Sequence, residues 1–258
     1  MTRYVANKLP FFFVLLALAA SLNVAQIPQD SSVEINGLDI TVLNNKINEA
    51  EATANGATAS ASDKLTVANL YMRRANVFYN AGQPQLYKFA LGDFRRVLRL
   101  QPDNAEAREK ADTIVSIYES MSRPVPNNGA KAVDEVNAIT FKLKPRLIEF
   151  PSDKKIAIDS GTASKDVSYV YEIELSAKRQ TNVLIKSNKG DVTFSIYHLR
   201  NESSAPIISD AKTWSGFVPE SGTYLIKVSS TKDDAEYQLR ISLRPQTINS
   251  SQVIKRKL

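Results

Sequence analysis

The sequence predicts a two-domain chain: all-α helical hairpins followed by an all-β antiparallel sandwich of jelly-roll type. Three observations predict it. Apolar residues recur at the helical period through residues 38–122. A Pro/Asn/Gly-rich stretch at 122–129 opposes both helix and strand. From residue 139 onward the apolar spacing changes to period two, between turn residues about ten positions apart.

The chain opens with Arg3 and Lys8, followed by an almost unbroken apolar run at 11–22 and a small residue, Ala25. This is the layout of a secretory signal peptide over 1–25, with an uncleaved N-terminal anchor as the rival reading. The run is about a dozen residues, short of the roughly twenty that span a bilayer. No stable transmembrane segment is therefore expected after cleavage, and the protein is expected to be exported, periplasmic or secreted. Among 258 residues there is no cysteine. Disulfides, thiolate metal sites and thiol catalysis are thereby excluded, and stability must come from core burial. The formal net charge is +6. Residues 26–123 are nearly balanced, with 11 Lys/Arg against 12 Asp/Glu, and the excess sits in 124–258, with 20 against 15.

Residues 26–37 are expected to be an unstructured lead-in ending at Asn36-Gly37. Leu43, Ile47, Ala50 and Ala54 then mark one face of a first helix. Ser62 or Asp63 is expected to cap a second, whose apolar positions are Val67, Leu70, Tyr71, Ala75 and Phe78 and which Gly82 ends. A third helix is expected from about 85 to 100, before Pro102. A fourth starts at Asp103 or Asn104 and runs through Ala107, Ala111, Ile114 and Ile117.

The middle of this block resembles a tetratricopeptide repeat. Tyr71, Ala75, Phe78 and Gly82 match that motif's first helix, and Tyr87, Ala90, Phe94 and Pro102 match its second. Val97 departs from the pattern, and Gln83-Pro84-Gln85 lengthens the turn. Small Ala75 and Ala90 allow close helix approach. A plain four-helix bundle is the alternative, since one repeat alone cannot bury its faces.

Residues 123–136 read as a linker. The sandwich, 137–245, begins with the alternation Ile139, Phe141, Leu143 and includes the longest one, Val167, Tyr169, Tyr171, Ile173, Leu175. Val183 with Ile185 and Phe194 with Ile196 mark two more strands. Tyr224, Ile226, Val228 and then Tyr237, Leu239, Ile241, Leu243 are expected to form a β-hairpin across the polar loop 229–234. The remainder, 246–258, is a basic flexible tail.

Residues 145–244 resemble the bacterial pre-peptidase C-terminal domain. The features fall in that family's order: Tyr171-Glu-Ile-Glu-Leu175, the strand at 181–186, Gly190-Asp191 with the run to Tyr197, Trp214-Ser-Gly216, Ser221-Gly-Thr-Tyr224, and Ala235-Glu-Tyr-Gln-Leu239. The resemblance implies a β-sandwich, an extracytoplasmic setting and a binding or accessory role. Related sandwiches include carbohydrate-binding modules and lysozyme inhibitors.

No catalytic set assembles. His198 is the single histidine, and no Gly-x-Ser-x-Gly elbow surrounds any serine. Asp191, Asp210, Asp233 and Asp234 lie in turn-like loops, where such oxygens can hold Ca²⁺; no other cofactor is indicated. Arg73-Arg74 and Arg95-Arg96, with Arg99, are expected to form a basic cluster on neighbouring helices, which Asp93, Glu106, Glu109 and Asp112 can neutralise; Arg73, Arg74, Arg95 and Arg99 are its candidate binding residues. Trp214 is a core or sheet-edge aromatic, or a ring on which a sugar stacks. The reading is an exported, non-catalytic interaction protein that binds a protein or peptide partner or an envelope polymer, through a helical groove carrying those arginines and through the sandwich. It is not expected to bind nucleic acid. The alternative is a module that binds cell-wall polysaccharide (peptidoglycan), or an inhibitor of a lysozyme-type hydrolase.

Overall fold

A computed structural model describes residues 32–126, 140–151, 155–189, 191–199 and 205–244. The signal peptide, most of the linker, Gly190 and the basic tail lie outside the described residues.

The chain enters on two short strands, β1 (Ser32–Asn36) and β2 (Leu38–Asp39). Four helices follow: α1 (Thr41–Ala54), α2 (Ala61–Asn80), α3 (Tyr87–Leu100) and α4 (Ala105–Ser120). Ten strands complete it. They are β3 (Thr140–Lys144), β4 (Arg146–Leu147), β5 (Ile156–Ala163), β6 (Ser168–Leu175), β7 (Thr181–Ser187), β8 (Val192–His198), β9 (Ile208–Ala211), β10 (Thr213–Gly216), β11 (Gly222–Ser230) and β12 (Ala235–Leu243).

The helices follow from local chemistry. Ser60, two residues before the expected cap, starts α2: its hydroxyl accepts from the Asp63 N–H while the Asp63 carboxylate accepts from the Ser60 N–H. This reciprocal capping box satisfies two orphan donors of the first turn. Asn104 caps α4 by accepting from the Ala107 N–H. A 3₁₀ turn, Pro84–Leu86, fills the lengthened α2–α3 connection. Ala75 and Ala90 are fully buried between α2 and α3, as their size requires.

Two sheets face each other, ordered β2-β6-β11-β8-β9 with β4 also on β6, and β10-β7-β12-β5. Their inner faces carry Tyr171, Ile173, Val183, Phe194, Ile196, Tyr224, Ile226, Leu239 and Ile241, all at most 1% exposed. The expected hairpin is absent. β11 pairs with β6 and β8, whereas β12 pairs with β5 and β7, so the loop at 229–234 crosses from one sheet to the other. Both alternations are genuine, but each lines the core from its own layer. Period two reports which side chains point inward and says nothing about which strand is the neighbour.

The division into an all-α domain followed by an all-β domain is overturned. The fold is mixed α/β, because strands on both sides of the helices pair with each other. β1, within the expected lead-in, runs parallel to β3, with Val33 opposite Phe141. β2 pairs with β6, with Leu38 opposite Tyr169. Gly37 knits these pairs together: its N–H donates to the Lys144 carbonyl at 2.7 Å and its carbonyl accepts from the Val170 N–H at 2.8 Å. Its φ of +75° is open to glycine, and a Cβ there would lie 2.5 Å from Arg146. Phe141 of β3 lies against Phe78 and Phe89, with ring centroids 5.3 and 5.2 Å apart. One continuous apolar core therefore runs from the helices into the sandwich.

Candidate functional site

The four arginines expected to bind are split among four environments. Arg73 leaves the helices and joins them to the sandwich loops, 3.2 Å from Asp166 and 3.1 Å from Asp233. Lys46 of α1 meets the same Asp166 at 2.8 Å. Arg74 points into the helical core, where it makes a bidentate pair with Asp93 at 2.7 and 2.9 Å and donates to Asn44. Arg95 donates to the Pro126 carbonyl at 3.0 Å, and burial lowers its pKa. Arg99 alone of the four lines a groove.

The split follows from helical geometry. Adjacent positions are about 100° apart, so Arg73 and Arg74 cannot share a face. Arg96, expected in the basic cluster but not among the binding residues, is the neighbour of Arg74. Asp93 accepts from both guanidinium groups, from Arg96 at 3.3 Å, and is itself fully buried. The Arg96 guanidinium sits over the Tyr71 ring at 4.7 Å, and that of Arg74 lies 5.6 Å from the same ring. Burial opposes the Arg74 charge, but the Asp93 carboxylate outweighs it and holds the Arg74 pKa above its ordinary value. The i, i+3 spacing of Asp93 and Arg96 was the available signal, since it places both on one helical face.

Above this buried triad opens a groove of about 330 Å³ between α1, α2 and α3. Val67 and Tyr71 form its apolar floor, with Ala54 and Leu100 beside them. Lys64, Arg96 and Arg99 line it with positive charge, against the single carboxylate of Glu51. Lys64 and Arg99 are exposed, whereas Arg96 is held from beneath by Asp93 and Tyr71. Exposed cations beside an apolar floor suit a carboxylate carried next to an aliphatic side chain.

Trp214 lies on β10, half-buried against the core, with its ring so close to Gly216 that a Cβ there would come within 2.9 Å. It is thus a sheet-edge aromatic. His198, at the end of β8, stacks edge-on against Tyr224 at 4.8 Å and lies 3.3 Å from Glu220. Of the loop aspartates, Asp233 serves Arg73 and the Lys165 N–H, and Asp191 lies 2.7 Å from Lys232. Asp234 holds positive φ in the loop before β12, whereas Asp210 does so within β9, where the pairing with β8 is irregular. Among the described residues no three His, Cys, Asp or Glu side chains gather as a metal site, and no helix is long and apolar enough to cross a membrane.

No protein-family model matches the chain, and no curated protein does. Solved structures do resemble it. The periplasmic inhibitor of g-type lysozyme PliG from Aeromonas hydrophila is 20% identical, with a TM-score of 0.35, over 40% of this chain and 98% of that one. PliG from Salmonella Typhimurium is 17% identical, with a TM-score of 0.31, over 39% and 98%. The pre-peptidase C-terminal domain of a Bacillus anthracis collagenase is 13% identical, with a TM-score of 0.29, over 39% and 95%. At these values no partner or activity transfers to this chain.

Proposed function

We propose that this chain is an exported binding protein whose α1–α2–α3 groove takes an extended acidic segment of a partner protein. The observation that carries the reading is the groove itself. Val67, Tyr71 and Leu100 offer a site for one aliphatic side chain, and the exposed Lys64 and Arg99 flank it with positive charge. Arg96 lies beneath, 3% exposed and neutralised by Asp93, so Lys64 and Arg99 are the cations that meet the anion. The apolar run at 11–22 supports export.

The test is fluorescence anisotropy with a panel of labelled peptides in which Asp or Glu flanks Leu or Ile. Binding by the intact chain should weaken steeply with salt and fall at least tenfold when Lys64→Glu and Arg99→Glu are combined. Equal binding by wild type and double variant would reject the groove. A second reading, inhibition of a lysozyme-type hydrolase, is prompted but not argued by the resemblance to PliG. Residual activity of a g-type lysozyme at stoichiometric protein decides it, and undiminished activity rejects it.

A further inference from the structure

The four-stranded sheet of the sandwich ends on β10 at one edge and on β5 at the other. β5 is the outermost strand of that sheet, paired only with β12. The Leu243 N–H donates to the Lys155 carbonyl, which sets the ladder phase. With Ile156 opposite Ser242, the odd residues from 155 onward face β12. The backbone groups of Ile156, Ile158, Ser160 and Thr162 therefore face outward. Among the described residues, those of Ile156 and Ile158 take no partner, while the Ser160 N–H is capped by the Asp159 carboxylate at 2.8 Å. Ile156 is 39% exposed and Ile158 58%, and Leu147, which lines the same groove, is 60% exposed.

Natural edge strands are blunted by lysine, proline, a bulge or an inward charge. On β5 the one such device is the inward Asp159, which caps the Ser160 N–H and leaves Ile156 and Ile158 open; the outward side chains of Ile156, Ile158, Ser160 and Thr162 carry no charge. Such an edge is a pairing template, and β5 has the symmetry to pair with itself. In a two-fold antiparallel pair, residue i meets 2c − i, where c is the residue on the axis. With Ala157 on the axis, Ile156 faces Ile158 of the second copy, and the reverse. These four residues then exchange four backbone hydrogen bonds using only groups that are free. The same register sets Lys155 opposite Asp159, which already accepts an ion pair from Arg146 at 3.2 Å. An axis at Ile158 would pair Ile156 with Ser160, whose N–H is occupied. An axis at Asp159 would set two carboxylates face to face.

We propose that the chain forms a two-fold homodimer through β5–β5 strand pairing about Ala157, joining two four-stranded sheets into one of eight.

The test uses the intact chain. Light scattering after size exclusion at micromolar to hundreds of micromolar concentration should give twice the chain mass. Ile156→Lys and Ile158→Lys should each return the monomer with an unchanged circular-dichroism melt. Because the sequence contains no cysteine, Ala157→Cys should form a disulfide-linked dimer on mild oxidation, since residues paired on the axis lie within disulfide reach. Thr213→Cys, on the opposite edge strand β10, should not. If either lysine variant fails to fold, the two cysteine variants decide the matter alone. A wild-type monomer throughout the range, a dimer that survives both lysine substitutions, or equal cross-linking at 157 and 213 would overturn the proposal.

Discussion

At the scale of single residues, the buried Arg74–Asp93–Arg96 group dominates. Removing one partner from a buried ionic group leaves an uncompensated charge, which costs about 3–5 kcal/mol. Asp93→Ala strands two guanidinium groups at once and is expected to lose at least that much, read as a lower urea midpoint at unchanged m-value. Substituting a more exposed carboxylate such as Glu106, which pairs with Lys110 at 2.7 Å, should cost under about 1 kcal/mol. Sequence reasoning placed Asp93 among the arginines and identified it as a neutralising charge. It could not say which arginines it serves, because that depends on how α2 and α3 are rotated against each other.

At the scale of elements, the N-terminal strands were the least legible. β1 has five residues and β2 two, too short to show periodicity, and Asn36-Gly37 reads as a simple turn. Strand pairing between segments more than a hundred positions apart leaves no local mark. Gly37 is where this can be tested. Gly37→Ala places a Cβ against Arg146 at a backbone angle that alanine rarely adopts, so a loss of about 1–3 kcal/mol is expected. Hydrogen exchange should show faster exchange at Val170, whose N–H donates to the Gly37 carbonyl. Unchanged protection there would mean that β2 is not held through this residue. The helices were more legible, because each carries its own apolar stripe. The start of α2 moved by two positions, since Ser60 outcompetes Ser62 through the reciprocal bond to Asp63, whereas Asn104 caps α4 as expected.

For the whole molecule, the continuous core makes cooperativity the decisive property. Phe141, Phe78 and Phe89 link the helices to β3, and Arg73 bridges to Asp166 and Asp233. A single calorimetric transition is expected, with calorimetric and van't Hoff enthalpies equal; two resolved transitions would restore independent domains. Acid should destabilise the whole through Asp39. Burial raises its pKa, but the Lys227 ammonium at 2.9 Å and the donors of Thr41 outweigh that and hold it below the ordinary value. A depressed folded-state pKa contributes stability that is full above the unfolded value of about 4 and is lost as pH falls through the folded one. Asp39→Asn should therefore flatten the fall in melting temperature below about pH 4.

The sequence by itself determined the inward side of five strands, β6, β7, β8, β11 and β12, the helical block and its small-residue contact at Ala75 and Ala90, and the absence of thiol chemistry. All of these are local, written in periods of two and 3.6 or in composition. Only the tertiary structure decided that β11 and β12 belong to different sheets, that β1 and β2 stitch the helices into the sandwich, and that Arg99 meets Lys64 and Arg96 at a groove while Arg73, Arg74 and Arg95 go elsewhere. Those outcomes depend on which surfaces meet across long separations in the chain, and a hydrophobic pattern specifies that a face is buried without specifying what buries it.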